Sequence, residues 1–303
     1  MPMISGAGVC CLDYIMMTPR PEWGGSAPIR QYCVQGGGLV ATALVACARL
    51  GARTQLFSLL GEDDHALRIL TELEDEGVAA SGVARIPGWE SPFSIVHVDS
   101  DSGERTIFHR GAGGRAWPGG DLSAIAGSDV LLVDHCFPDL TRAAIAVAKS
   151  CGAPVVADTQ PAPSNLDWLK GVDVLIAPGE YARRPEFRGD LAAALRAIRD
   201  CGPRTAVITL GADGWIALDD TGFHKGPAFK VRIVDTLGAG DVFHGAYAFA
   251  RARGWDAPRC CEFASAVAAI KCEQVGGRTG IPSFGKALAF LRERGTGDWS
   301  ELA

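Results

Sequence analysis

The residues with the clearest chemical potential lie in one stretch, 235–241, with the sequence DTLGAGD, just before a run of helix-forming residues. Small residues at 238–240 let the backbone approach an anion closely, and the free N–H groups at a helix start carry partial positive charge. Asp241 falls in the first turn of that helix, where a carboxylate can take a proton from a hydroxyl that attacks phosphorus. The stretch therefore indicates an anion hole with a general base, and a glycine helix start with a dipole-favoured Asp is the structural alternative.

Apolar strands and helices alternate along most of the chain and must position this stretch. Strands are predicted at 4–14, 29–34, 54–60, 91–98, 105–108, 130–134, 155–158, 174–176, 206–210 and 215–218, and helices at 39–50, 64–76, 140–149, 191–199, 240–253 and 259–272. The alternation predicts one α/β domain over residues 1–303, with a mostly parallel central sheet flanked by helices. The β-like segments near 14–35 and 90–110 do not fit the alternation, and we expect them to form a small β-sheet lid.

Composition excludes several classes of protein. The chain has 303 residues with 29 Lys+Arg against 35 Asp+Glu, so it lacks the basic face that nucleic acid binding needs. No apolar run reaches the roughly 18 residues of a membrane span, and residues 1–6 show no signal-peptide pattern. We therefore expect a cytoplasmic protein without nucleic acid or membrane partners, whose 10 cysteines stay reduced.

Several motifs together resemble the ribokinase/PfkB family of carbohydrate kinases. Residues 235–241 match its C-terminal signature D-T-x-G-A-G-D, and Gly37 and Gly38 with the alanine-rich run after them resemble its N-terminal signature. Other similar motifs are the turn GEDD at 61–64, the loop TLGADG at 209–214 and the loop GGRTGIP at 276–282. The resemblance spans nearly the whole chain, and segments 227–231 and 241–246 are most similar to the sulfofructose kinase branch.

The resemblance implies a ribokinase-like fold with a lid, and transfer of the γ-phosphoryl group of ATP, with Mg²⁺, to a hydroxyl of a sugar or sugar acid. It makes Asp241 the catalytic base, and it makes a run of small residues the anion hole: Gly238, Ala239 and Gly240. It also implies a set of residues on the nucleotide side: Glu180, Thr209, Gly211 and Gly214. A monovalent cation, K⁺, held near Asp235 and Gly276 mainly by backbone carbonyls, is common in the family.

On the sugar side the resemblance makes Asp13, at the end of the predicted first strand, an acceptor of sugar hydroxyls. It makes Gly37 and Gly38 the backbone that closes over the sugar. Two positions depart from the family pattern, because Thr42 stands where Asn is frequent and Ala177 replaces the Asn of the N-x-x-E pattern. The hydroxyl of Thr42 still reaches a sugar oxygen with fewer donors, and Mg²⁺ handling is expected to rest on the Glu180 carboxylate and waters.

Two further residues are predicted to bind substrate from their positions. Arg110 ends the lid hairpin, resembles an arginine of the 2-keto-3-deoxygluconate kinases, and precedes Gly111, Gly113 and Gly114, which let the chain fold back over the site. It is expected to pair with an anionic group of the substrate, and a solvated strand end is the alternative. Asp134 follows a strand end on the sugar side, and a local structural role is its alternative.

Three kinds of function stay open at this point: a sugar or sugar-acid kinase, a nucleoside kinase of the same fold, and a catalytically silent sugar-binding protein. A nucleoside site needs aromatic stacking on the base, for which the lid offers Tyr14, Trp23 and Phe93. The intact Asp241 argues against a silent protein. The lid segments are too small to bury both faces alone, which predicts a homodimer built through the lid.

Overall fold

Two β-sheets of unequal size form the frame of the computed structural model, which describes residues 1–111, 114–159, 167–297 and 299. The strands of this described part are β1 (Met3–Ala7), β2 (Cys11–Thr18), β3 (Gln31–Gly37), β4 (Arg53–Gly61), β5 (Val78–Ile86), β6 (Phe93–Asp99), β7 (Arg105–Arg110), β8 (Val130–Val133), β9 (Val155–Asp158), β10 (Val174–Pro178), β11 (Thr205–Thr209), β12 (Trp215–Asp219) and β13 (Gly222–Gly226). The α-helices are α1 (Leu39–Arg49), α2 (Asp64–Asp75), α3 (Pro138–Cys151), α4 (Leu191–Asp200), α5 (Ala239–Ala252), α6 (Ala257–Lys271) and α7 (Phe284–Arg294).

The larger sheet runs in the order β13-β12-β11-β10-β9-β8-β1-β4-β5. Neighbours from β11 to β5 pair in parallel, whereas β12 and β13 form an antiparallel edge. β8 and β9 are buried at every position, because helices cover both faces and leave no solvent side. The predicted α/β fold with a mostly parallel central sheet is confirmed.

The helices divide between the two faces of this sheet. α1, α2, α5, α6 and α7 share one apolar core, and α3 and α4 share the other. α1 and α5 pack so closely that a Cβ on Gly245 would lie 2.2 Å from the carbonyl oxygen of Ala43. This contact fixes α5, and with it Asp241, relative to the sheet. Across the described residues, no helix combines the length and apolar character needed to cross a bilayer.

The smaller sheet has the strand order β3-β2-β6-β7 and corresponds to the predicted lid. Alternation along its strands separates two faces. What we call the site face carries Asp13, Ile15, Ser94, Val96, Val98 and Arg105, and the back face carries Tyr14, Tyr32, Ile95, Phe108 and Arg110. Val96 on the site face is fully buried, whereas 62% of Phe108 on the back face is exposed. α2 covers part of the back face at Tyr14 and Phe93, and the part around Phe108 stays open to solvent.

The predicted first strand, 4–14, is in fact two strands in different sheets. β1 belongs to the central sheet and β2 to the lid. The break begins at Gly8, where a Cβ would fall 2.3 Å from Oδ2 of Asp134. The predicted strand ran through Gly6 and Gly8, although a glycine in a strand pattern is a signal of a break or a close approach. Asp13 therefore lies inside a lid strand rather than at the end of a central one. β5 and β13 were not predicted either, since small residues and glycines weaken their strand pattern.

The site face of the lid rests on the loop that leads into α5. Ile15, Val96 and Val98 form a small apolar cluster with Leu237. Arg105 Nη1 donates a hydrogen bond of 2.8 Å to the Thr236 hydroxyl. The lid thus contacts the DTLGAGD stretch directly.

Candidate active site

The amino end of α5 forms the centre of the candidate site. Gly238 is its N-cap, with a left-handed φ of 71°, and a Cβ there would lie 2.9 Å from the carbonyl oxygen of Gly277. Ala239 and Gly240 follow and line a cleft of about 620 Å³. A Cβ on Gly240 would meet no atom within 4 Å among the described residues, apart from its chain neighbours and its own helix backbone. The predicted anion hole therefore opens on free space at a helix N-terminus, where N–H groups favour an anion.

Asp241 lies half-buried in the first turn of α5. Burial, and then the negative charge of Asp158, raise the pKa of Asp241 from 3.8 to about 7. Asp13 on the lid adds to this rise, whereas His244 and Arg105 oppose it. A carboxylate whose pKa lies near ambient pH is a stronger proton acceptor than an ordinary Asp and is still substantially ionised.

A buried acid–histidine pair supports the first turn of α5 from below. His244 Nε2 lies 3.4 Å from Oδ1 of Asp158, at the end of β9, and 3.0 Å from the carbonyl oxygen of Ile176 in β10. His244 Nδ1 lies 2.7 Å from the carbonyl oxygen of Gly240. Burial lowers the pKa of His244, and burial together with the charge of Asp134 raises the pKa of Asp158. No motif in the sequence pointed to this support.

One wall of the cleft gathers the residues predicted to bind nucleotide. Glu180, Thr209, Gly211 and Gly214 all line it, although they come from separate segments near the ends of β10 and β11. These strands are parallel neighbours, so their carboxyl ends bring the two loops together. An apolar surface suited to a flat base also lines the cleft, formed by Phe229, Val231, Ile233, Phe243, Ala268 and Ala269.

Asp13 and Gly37 meet on the adjacent lid strands β2 and β3. A Cβ on Gly37 would lie 2.1 Å from Oδ2 of Asp13, so only glycine leaves room for this carboxylate. Burial raises the pKa of Asp13. Gly38 follows with φ of 94° as the N-cap of α1. The structure thus brings Asp13, Gly37 and Gly38 together.

Thr42 is tied to a residue that the motifs did not single out, Arg278. Arg278 is fully buried, and its Nε donates to the Thr42 hydroxyl at 3.3 Å. Its Nη2 donates to the Gly37 carbonyl at 3.0 Å, and its Nη1 lies 3.3 Å from Oε1 of Glu72. Thr42 therefore anchors Arg278, and its direct contact with a sugar stays a prediction. The only signal in the sequence was the position of Arg278 inside the GGRTGIP loop.

Arg110 and Arg105 stand at opposite ends of β7 and on opposite faces of the lid. Arg110 lies on the back face, ion-paired with Glu90 at 2.9 Å, with 61% of its side chain exposed. The structure therefore does not bring Arg110 to the site as the sequence predicted. Residues on one face of a strand differ in number by two or a multiple of two, whereas Arg105 and Arg110 differ by five. Arg105 lines the cleft instead. Gly113, which entered the prediction, lies outside the described residues.

Asp134 is fully buried, with both carboxylate oxygens bonded to backbone. The N–H of Val9 donates to Oδ2 at 2.7 Å, and the N–H of Cys136 donates to Oδ1 at 2.8 Å. Burial raises the pKa of Asp134. These bonds join the turn between β1 and β2 to the turn after β8, which is the structural role weighed as the alternative. Contact with substrate stays a prediction.

At Asp235 and Gly276, the predicted cation position, the polar groups are bonded to other groups of the protein. The carboxylate of Asp235 accepts the N–H groups of Leu237 and Gly276, each at 2.8 Å. The carbonyl oxygens of Asp235 and Leu237 accept from the ammonium group of the fully buried Lys271, the first at 3.0 Å. Burial lowers the pKa of Lys271, and the charge of Asp235 opposes that shift. A K⁺ ion does not fit where this ammonium lies.

The three aromatic candidates for stacking on a nucleobase lie away from the site face. Tyr14 and Phe93 lie on the back face of the lid, where their rings contact His65 of α2 at centroid distances of 5.8 and 5.1 Å. Trp23 is fully exposed. The structure therefore brings none of these three residues over Asp13.

Known proteins share this sequence pattern and fold. A family model described as pfkB family carbohydrate kinase matches residues 7–283. The chain is 27% identical to a ribokinase of Lactococcus lactis, over 97% of its own length and 98% of the relative's. It is 29% identical to a nucleoside kinase of Methanothermobacter thermautotrophicus, over 96% and 95%. It superposes on the structure of Arabidopsis thaliana ribokinase complexed with ribose and ATP with a TM-score of 0.83 and 23% identity, covering 96% and 99%.

Proposed function

Because the chain belongs to the pfkB family of carbohydrate kinases and is an ATP-dependent sugar kinase, we propose that the amino end of α5 is where it phosphorylates a hydroxyl of a sugar or sugar acid. The observation that carries the proposal is the environment of Asp241. Its pKa is raised to about 7 beside residues that line a cleft of about 620 Å³. A proton acceptor and an anion hole then stand at the same helix terminus.

Asp241 is the proposed general base. The substrate hydroxyl gives its proton to the ionised carboxylate while its oxygen forms a bond to the γ-phosphorus. The bond from that phosphorus to the bridging oxygen breaks, and ADP keeps the electron pair. The N–H groups around Gly238, Ala239 and Gly240 stabilise the charge on the transferring group.

The sugar is proposed to lie between Asp241 and the site face of the lid. Asp13 can accept two sugar hydroxyls there, and a hydrogen bond to a charged acceptor contributes about 1.5–3 kcal/mol. The site face, which carries Asp13, contacts Leu237 and Thr236 just before α5, and this supports a common space for Asp13 and Asp241. Gly37 and Gly38 form the adjoining backbone. We leave Arg110 and Asp134 out of this proposed substrate site because of their contacts elsewhere.

The nucleotide-side wall suits ATP with Mg²⁺. Glu180 is exposed and lines the cleft with Gly211 and Gly214, and a carboxylate is a ligand that Mg²⁺ prefers, directly or through water. Mg²⁺ supplies positive charge to the phosphate oxygens when it is bound. Ala177, at the position of the missing Asn, is buried in β10, so Glu180 is the proposed protein anchor for the ion.

The alternative of a nucleoside kinase receives support from the name of one relative but not from the placement of Tyr14, Trp23 and Phe93. A catalytically silent binding protein does not require the raised pKa of Asp241. The similarity to sulfofructose kinases stays a prediction about evolutionary nearness. We further propose that the enzyme acts in the cytoplasm on small molecules, without nucleic acid or membrane partners.

An ATP-consumption screen over sugars, sugar acids and nucleosides tests the function, with Asp241→Asn as the matched variant. The amide keeps the shape of the side chain but cannot accept the proton, so we expect kcat to fall about 100- to 10,000-fold, with ATP binding retained. A variant within a few-fold of wild type would contradict the assignment of the base. Faster turnover of nucleosides than of any sugar would select the alternative function.

A further inference from the structure

Lys271, the last residue of α6, is fully buried, and its ammonium group lies under the turn that leads into α5. Nζ donates to the carbonyl oxygens of Asp235 and Leu237. A buried ammonium is costly unless its protons are bonded and an opposite charge is near. Here two carbonyl oxygens accept, and the Asp235 carboxylate supplies negative charge. The turn is therefore built around a positive group that belongs to the chain.

Asp235 is also part of the position predicted to hold K⁺ through backbone carbonyls. Ammonium and K⁺ are both monovalent cations that carbonyl oxygens bind well. We propose that the ammonium group of Lys271 is a covalently attached substitute for that ion, so that this enzyme works without a free monovalent cation. This proposal rests on the proposed kinase function.

A cation at this point acts on the anion hole through the geometry of the peptide group. The carbonyl of Leu237 and the N–H of Gly238 belong to one planar trans unit and point in opposite directions. Drawing the Leu237 oxygen toward Lys271 therefore aims the Gly238 N–H to the other side of the turn. The same holds for the Asp235 carbonyl and the Thr236 N–H. When a carbonyl oxygen is bonded to a cation, the N–H of the same peptide group also becomes a stronger hydrogen-bond donor. Lys271 is thus a positioning residue for the phosphoryl site.

The first test uses wild-type protein with Mg²⁺ and ATP in buffer whose only monovalent cation is tetramethylammonium. We expect the kinase rate and the melting temperature to stay the same when potassium chloride replaces tetramethylammonium chloride at equal ionic strength. A rise in either quantity that saturates with K⁺ would show an open cation site and overturn the proposal.

Two substitutions make the test specific. Lys271→Ala removes the charge and leaves room for an ion, whereas Lys271→Met removes the charge and fills the space. Without K⁺ we expect both variants to lose about 10- to 100-fold in kcat with little change in KM for ATP. Added K⁺ or ammonium should restore a large part of the rate to Lys271→Ala but not to Lys271→Met. Lys286→Ala, on the exposed side of α7, is the control and should behave as wild type.

Melting curves without nucleotide provide a readout that does not depend on the reaction. K⁺ should raise the melting temperature of Lys271→Ala but not that of wild type or Lys271→Met. If no substrate is phosphorylated, the proposed function fails while this measurement still decides the role of Lys271. Equal responses of all three proteins to K⁺, or full activity of Lys271→Met, would refute the substitution of an ion by Lys271.

Discussion

At the scale of single residues, Asp241 shows how burial adjusts chemistry. Burial and Asp158 raise its pKa to about 7, so the proposed base loses its negative charge in mildly acidic solution. We predict that kcat follows the ionised fraction and falls as the pH drops through about 7. A pH–rate profile with saturating ATP and sugar measures this. A flat profile down to the ordinary range of an Asp would contradict the raised pKa.

The same pKa sets the sign of a stability effect. Between about pH 3.8 and about pH 7 the folded protein keeps the Asp241 proton, whereas the unfolded chain has released it. The stability that this proton contributes is therefore lost as the pH rises through that range. We predict that Asp241→Asn becomes more stable than wild type over this range and keeps the difference above it. Urea unfolding of both proteins at a series of pH values measures the difference, and an effect that grows toward acid would be the wrong sign.

Arg105 and Arg110 offer a paired test of how the lid meets the substrate. Arg105 contacts Thr236 and lines the cleft, so we predict that Arg105→Gln lowers kcat/KM roughly 100-fold through weaker stabilisation of the phosphoryl group. Arg110→Gln should change kcat/KM little, since Arg110 is bound to Glu90 on the other face. Steady-state kinetics with a sugar and a sugar acid decide the matter. A loss of preference for sugar acids in Arg110→Gln alone would restore the role predicted from the sequence.

At the scale of secondary structure elements, the buried Arg278 ties the loop after α6 to α1, α2 and β3. Replacing it by Met keeps much of the volume but leaves the Gly37 carbonyl and Glu72 without their partner. We predict a loss of at least about 1–3 kcal/mol in the free energy of unfolding and a higher KM for the sugar, because Gly37 adjoins Asp13. Urea titration and kinetics measure these effects.

Arg68→Met is the control for this experiment. Arg68 lies on the exposed side of α2 and donates one hydrogen bond to the Val34 carbonyl, so its loss should cost much less stability. Equal effects of the two substitutions would show that the network around Arg278 does not hold the sugar side together.

At the scale of the whole molecule, the back face of the lid leaves apolar side chains exposed: Tyr32 by 56%, Ile95 by 40% and Phe108 by 62%. A sheet face of this kind is a liability in water, and pairing with a second copy would cover it. We propose that the protein is a homodimer joined through its lids and predict that Phe108→Glu makes it a monomer. Light scattering at micromolar concentration measures the mass.

Phe223→Glu is the control for the added charge, because Phe223 is exposed on β13 at the far edge of the larger sheet. This substitution should leave the measured mass unchanged. A wild-type protein that scatters as a monomer would contradict the predicted dimer.

The sequence by itself determined the α/β fold and the place of the smaller sheet, and it led to the chemistry that we propose at the amino end of α5. These features depend on local patterns: apolar runs that repeat with strand or helix period, and small residues that must precede a helix for its N–H groups to reach an anion. Motifs also predicted the loops after β10 and β11 that line the cleft, and these loops meet because parallel strands present their carboxyl ends at one edge of the sheet.

Only the tertiary structure decided which side chains face the site. The pattern of residues 4–14 did not show that the chain passes from one sheet to the other, so Asp13 was predicted at a strand end but lies inside the lid strand β2. Whether Arg105 or Arg110 faces the site depends on the register of β7, because a shift of one residue moves every side chain of the strand to the other face of the sheet. Arg278 and Lys271 carry no local pattern, because a charge becomes tolerable inside a protein only through partners distant in the chain, here Glu72 and the carbonyls of Asp235 and Leu237.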